Sequence, residues 1–163
     1  MVDKIRVKET VTAIECILNR FNIHCKNKKT KDLIEKLKTE IDNTNDSNID
    51  PGIKIQLKNA LKYANYPLKD RVIKLYQKEK LTIDGYLEAQ KSNVLNFDFS
   101  NIENIIEDII EYRNKNTHNA IKYIDNSIIK GVILLNAIIY SKVLRQIGFT
   151  NKSIKWLLID CLR

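Results

Sequence analysis

The chain has 163 residues, of which 44% are hydrophobic and 29% charged, so a folded globular domain is expected and disorder is excluded. Only four glycines and two prolines interrupt it, which argues against a turn-rich β fold and for long helices. A net charge of +8 favours polyanionic partners, nucleic acid first among them.

In chain order, Val7, Val11, Ile14, Leu18 and Phe21 fall on 3-4 spacing and predict a first helix from Lys4 to Asn22. Glu15 lies one turn from Val11 and Leu18 and flanks that stripe. A basic loop, Lys26 to Lys31, precedes a short helix that turns Leu33, Ile34, Leu37 and Ile41 inward. Asp42 to Asp50 reads as a polar linker ended by Pro51-Gly52, followed by a third helix from Ile53 to Asn65. Pro67 suits the first turn of the next helix, with Leu68, Val72, Leu75 and Tyr76 as its buried stripe. Thr82 to Lys91 is expected as a separate, shorter helix weakened by Gly85, with a loop at Asn93 to Asp98. Ser100 and Glu103 form an S-x-x-E capping box for a helix anchored by Ile102, Ile105, Ile106, Ile109 and Ile110. Asp125 or Asn126 caps a long apolar helix from Ser127 to Ile147, stopped at Gly148. Thr150 caps a last helix bearing Ile154, Leu157, Leu158 and Leu162, and Trp156 on it is expected to pack.

The sum is an all-α bundle of five to seven helices in one domain spanning residues 1–163. Cys16, Cys25 and Cys161 show no CxxC spacing and read as reduced thiols of a cytoplasmic protein, with no zinc site. His24 lacks co-ligands at sensible spacing, so no metal and no other cofactor are expected. Lys130, Asn136 and Lys142 divide the most apolar window, Ile128 to Leu144, into runs too short to span a bilayer; no membrane partner is expected.

The stretch richest in chemistry is Arg113-Asn114-Lys115-Asn116-Thr117-His118, which closes the isoleucine-rich helix. Arginine offers a permanent cation with a fork of donors matched to phosphate oxygens. Histidine exchanges protons near neutral pH. Five positions along a straight helix would separate the two side chains by about 140°, so a helix end in the polar run is required to bring them together. Without that convergence, Arg113 simply meets the negative end of the helix dipole and His118 caps a carbonyl.

Arg113, Asn114 and His118 match the R-x4-6-H motif of HEPN ribonucleases, which carry it at the end of a core helix. More narrowly, the chain resembles the ApeA-type HEPN module of bacterial anti-phage proteins. The likeness runs from about residue 10 to 160 through Ala13-Ile14-Glu15, Pro67-Leu68-Lys69-Asp70-Arg71-Val72 and Leu144-Arg145-Gln146-Ile147-Gly148-Phe149. The resemblance implies a metal-independent endoribonuclease acting on RNA, tRNA included, in anti-phage defence or as a toxin, with Arg113, His118, Asn114 and Glu15 as its catalytic set. It implies that Glu15 orients His118 or holds Arg113; the alternative is a flank carboxylate paired with a lysine. Lys115, Asn116 and Arg71 are candidate RNA contacts, although Arg71 reads better as a tie across the bundle. A homodimer would bring two Arg–His pairs into one cleft. A regulatory N-terminal domain or defence partner would lie outside this chain. Ala120 stands where partner-modified HEPN toxins carry a tyrosine, so that regulation is not expected. The competing readings are a non-catalytic RNA- or nucleotide-binding module and an interaction subunit of a defence complex.

Overall fold

The computed structural model describes residues 2–23, 28–44, 50–64, 67–92, 98–116 and 123–161. Among them are seven helices and no strand: α1 (Lys4–Arg20), α2 (Lys28–Asn43), α3 (Pro51–Ala64), α4 (Leu68–Ser92), α5 (Ile102–Asn116), α6 (Asn126–Gln146) and α7 (Asn151–Cys161). The fold is all-α. Asp3, Asp125 and Thr150 accept backbone N–H groups at the starts of α1, α6 and α7. At the other ends, α1 and α6 close on left-handed residues, Asn22 at φ 50° and Gly148 at φ 98°. The amides of Ile23 and Phe149 then donate to the carbonyls of Leu18 and Leu144, the paired-bond termination that a left-handed residue permits.

The apolar side chains of α6 set the centre. Helices α1, α4, α5 and α7 all pack on it, and Val132, Leu134, Leu135, Ala137 and Ile138 are buried there. By length and composition α6 would also suffice to cross a membrane, but its eight buried residues are covered by the other helices. Val7, Val11, Ile14 and Leu18 of α1 and Ile105, Ile106 and Ile109 of α5 complete this core. Helices α5 and α6 approach closely at Gly131, where a Cβ would stand 2.7 Å from that of Ile109.

Four expectations are corrected. The segment from Thr82 to Lys91 is no separate helix: α4 runs unbroken from Leu68 to Ser92, because packing on α6 and α7 outweighs the modest helix cost of Gly85. Asn101, not Ser100, caps α5; its side chain accepts from the Asn104 amide at 3.2 Å, while Ser100 bonds to Asp98. Leu33 and Leu37 do not turn inward, being 57% and 37% exposed. Trp156 does not pack either; it is 62% exposed beside Phe149. The loop at 93–97 and Leu162 lie outside the described residues.

A polar cluster interrupts the core. Glu79 on α4, 2% exposed, accepts from the Ser141 hydroxyl at 2.9 Å and from Arg145 Nε at 2.8 Å, both on α6. Arg145 reaches on to Asn151 at the start of α7, so this cluster bolts three helices together.

Candidate functional site

The site is built from the end of α5 and the middle of α1. Ile105, Ile106, Ile109 and Tyr112 are buried, which fixes the rotation of α5 and leaves Arg113 at the core's margin. Ile14 and Leu18 fix α1 in the same way and hold Glu15 beside it. The Arg113 guanidinium donates through Nη2 to the Glu15 carboxylate and through Nη1 to Asn114 Oδ1 at 3.0 Å. The side chains of Arg113 and Glu15 are 25% and 34% exposed, so the pair is half-buried with one side open to solvent. Of the two roles the sequence left open for Glu15, the carboxylate partners an arginine rather than a lysine.

Arg71 joins the same stripe of α1 one turn further on. Its Nη2 donates to Asn19 Oδ1 at 2.7 Å and its Nε to the Ile23 carbonyl at 2.8 Å. Residues 15 and 19 share a helical face, so two arginines, from α4 and α5, line one edge of α1. The guanidinium of Arg71 ties α4 to the end of α1 through an amide and a backbone carbonyl rather than through an acid.

Lys115 is exposed on the last turn of α5 and pairs with Glu111 at 2.7 Å. That hydrogen bond raises the lysine's pKa and lowers the glutamate's. Its charge is therefore locally balanced. Glu103, Glu107, Asp108 and Glu111 lie along the outer face of α5, where Lys69 pairs with Glu107 and Lys115 with Glu111, and the isoleucine stripe opposite is spent inside the chain's own core. The Asn116 side chain, Thr117 and His118 lie outside the described residues, as do His24 and Cys25. Among the described residues, no cluster of three or more His, Cys, Asp or Glu is arranged to hold a metal.

The feature that sequence reasoning missed is a cleft of about 520 Å³ at the opposite end of α5, between α4 and residues 99–103. Tyr76 forms part of its wall and donates to Asp84 at 2.6 Å; burial and this bond push its phenol pKa upward. The cleft also presents Lys80, Lys91, Glu88 and Glu103, a mixture of charges that selects no single ligand. Its residues are scattered over two helices, with no local motif to announce it.

Comparison with known proteins finds no matching family model, no matching curated relative and no similar solved structure.

Proposed function

We propose that the chain is a metal-independent endoribonuclease of HEPN type, acting in anti-phage defence or as a toxin, with Arg113 and His118 at its working centre. The observation that carries this reading is the Arg113 guanidinium, set at the end of the motif helix and held by Glu15 and Asn114. A cation fixed before substrate arrives stabilises developing phosphorane charge without reorganising. In this reading a neutral His118 takes the proton from a ribose 2′-OH, whose oxygen attacks the adjacent phosphorus. The bond to the 5′-oxygen then breaks, and that oxygen takes a proton from an acid. His118 of a second copy supplies the acid in a two-fold assembly. The products carry a 2′,3′-cyclic phosphate and a 5′-hydroxyl.

The test is digestion of total RNA by purified protein in the presence of a chelator, with analysis of the new termini. Arg113→Ala is expected to lower cleavage at least ~100-fold, the cost typical of removing an oxyanion donor. His118→Ala is expected to abolish cleavage while leaving helicity and RNA affinity in place. Lys115→Ala should do less than Arg113→Ala, lowering mainly the salt dependence of binding. RNA binding without cleavage by the wild type would instead favour a non-catalytic binding module. Cleavage that requires added metal, or that survives His118→Ala, would reject the mechanism.

A further inference from the structure

Arg113 and Arg71 reach α1 from different helices, α5 and α4, and bond to it one turn apart, at Glu15 and Asn19. Side chains at i and i+4 stand about 5–6 Å apart at Cβ, so the two guanidinium groups are anchored at neighbouring points of one edge. Their charge balance differs. Arg113 has the Glu15 carboxylate against it. Arg71 is held only by neutral acceptors, the Asn19 amide and the Ile23 carbonyl, and no acid pairs with it among the described residues. A tie of this kind does not need a cation: a neutral donor makes the same bonds at a lower cost of desolvation. The positive charge of Arg71 is therefore unspent inside the fold. Its position is fixed by two bonds, and Asn19 beside it is exposed, so the guanidinium keeps an edge toward solvent with donors to spare.

We infer that Arg71 and Arg113 form a two-phosphate subsite for one RNA strand, Arg113 on the phosphate that is cleaved and Arg71 on the next. The place of Arg113 on the cleaved phosphate rests on the catalytic reading above; the two anchored cations do not. A guanidinium suits the task because its planar donors match phosphate oxygens. The spacing selects the ligand. In a nucleoside diphosphate the two phosphorus atoms share an oxygen and lie too close for anchors a helical turn apart, whereas a whole sugar separates them along a strand. Contacts of this kind set the register of a strand without reading its bases, so binding is expected to be independent of sequence. Arg71 holds the strand in place and moves no proton.

The experiment is fluorescence anisotropy on the full chain with a mixed-sequence, single-stranded 2′-O-methyl RNA. Methylation blocks the internal nucleophile, so binding is read without turnover. Affinity is measured over a range of salt, with far-UV circular dichroism as a control on folding. Arg71→Gln is expected to weaken binding at least ~10-fold, as for loss of hydrogen bonds to a charged group. It should also make the slope of log affinity against log salt shallower by about 0.7, the share of one phosphate on a single strand. Arg71→Lys restores the charge without the planar fork and should recover the wild-type slope. Lys36→Gln, which removes an exposed charge on α2, should leave the slope as it is. A wild type that does not bind the probe, or an Arg71→Gln slope equal to that of wild type, would overturn the inference. So would an Arg71→Lys slope as shallow as that of Arg71→Gln, since the lost tie rather than the lost charge would then be the cause. If the slopes move as expected and the wild type cleaves no RNA, the subsite stands and the catalytic reading falls. If RNA is cleaved and Arg71→Gln binds like wild type, the catalytic reading stands and the subsite falls.

Discussion

Glu79 is a residue whose role no local pattern announces. In the sequence it sits between Lys78 and Lys80 and reads as part of a solvated charge run. It is buried because Ser141 and Arg145 meet it from α6, 62 and 66 residues away. Only a non-local partner makes such a carboxylate tolerable inside a core. Arg113 is the opposite case: residue type and position both pointed to it, and only its bond to Glu15 required the tertiary structure. Asp125 and Thr150 were legible as caps for a simpler reason, since a cap acts on amides two or three positions away, although at α5 the neighbouring Asn101 takes the place expected of Ser100. Asp125 allows a quantitative check. The Ser127 hydroxyl and the Ile128 amide both donate to its carboxylate and hold its pKa below the ordinary value. A lowered folded-state pKa means that the ionised cap adds stability at neutral pH and that this contribution is lost as pH falls through the lowered value. Asn at this position accepts the same bond but does not titrate. Asp125→Asn should therefore cost about 0.3–1 kcal/mol at pH 7, the range for a charge at a helix N-terminus. The difference should shrink as pH falls from 7 to well below the ordinary aspartate value. Urea unfolding of both proteins at the two pH values checks this, and an equal difference at both would remove the charge from the explanation.

Among the elements, periodicity located α1, α5, α6 and α7 because each has one apolar stripe. It divided α4, because Gly85 resembles a break when propensity is the sole guide; contact with α6 and α7 carries the helix through. It also turned Leu33 and Leu37 of α2 inward, because an apolar stripe shows that a helix must be covered without showing what covers it. The α5·α6 contact places the candidate site. Gly131 lets α5 sit close enough for Ile109 to lie against the α6 backbone, and Arg113 follows one turn later on α5. Gly131→Ala would put a methyl group where Ile109 Cβ already stands 2.7 Å away. The clash of an overpacked interface costs about 1–3 kcal/mol, partly offset by the roughly 1 kcal/mol that alanine gains over glycine in a helix. Net destabilisation is expected in thermal unfolding. RNA cleavage should fall further than the folded fraction does, because displacing α5 moves Arg113 away from Glu15. Unchanged stability would show that α5 and α6 can separate freely, and Gly131 would then have no part in placing the site.

For the molecule as a whole, composition and helix count were legible, but the division of labour between core and hairpin was not. That division depends on which helices touch, a property of contacts between distant residues. Helices α1, α4, α5, α6 and α7 share one core, and the α2–α3 hairpin is inserted between two points that the fold already holds together. Arg71, near the start of α4, bonds to the Ile23 carbonyl just past the end of α1, so the chain leaves the core and returns to it at neighbouring positions. Joining ends that are already close costs little loop entropy, and a shorter loop costs less than a longer one. Replacing residues 24–66 with a short glycine-serine linker should therefore leave the five-helix core folded, with a cooperative thermal transition and slow amide exchange in α4, α5 and α6. The shortened chain should also keep the Arg113–Glu15 contact, to which the hairpin contributes no atom. Hydrogen exchange read by mass spectrometry supplies the comparison. A shortened chain without protected core amides would show that the hairpin is part of the folding unit rather than an appendage to it.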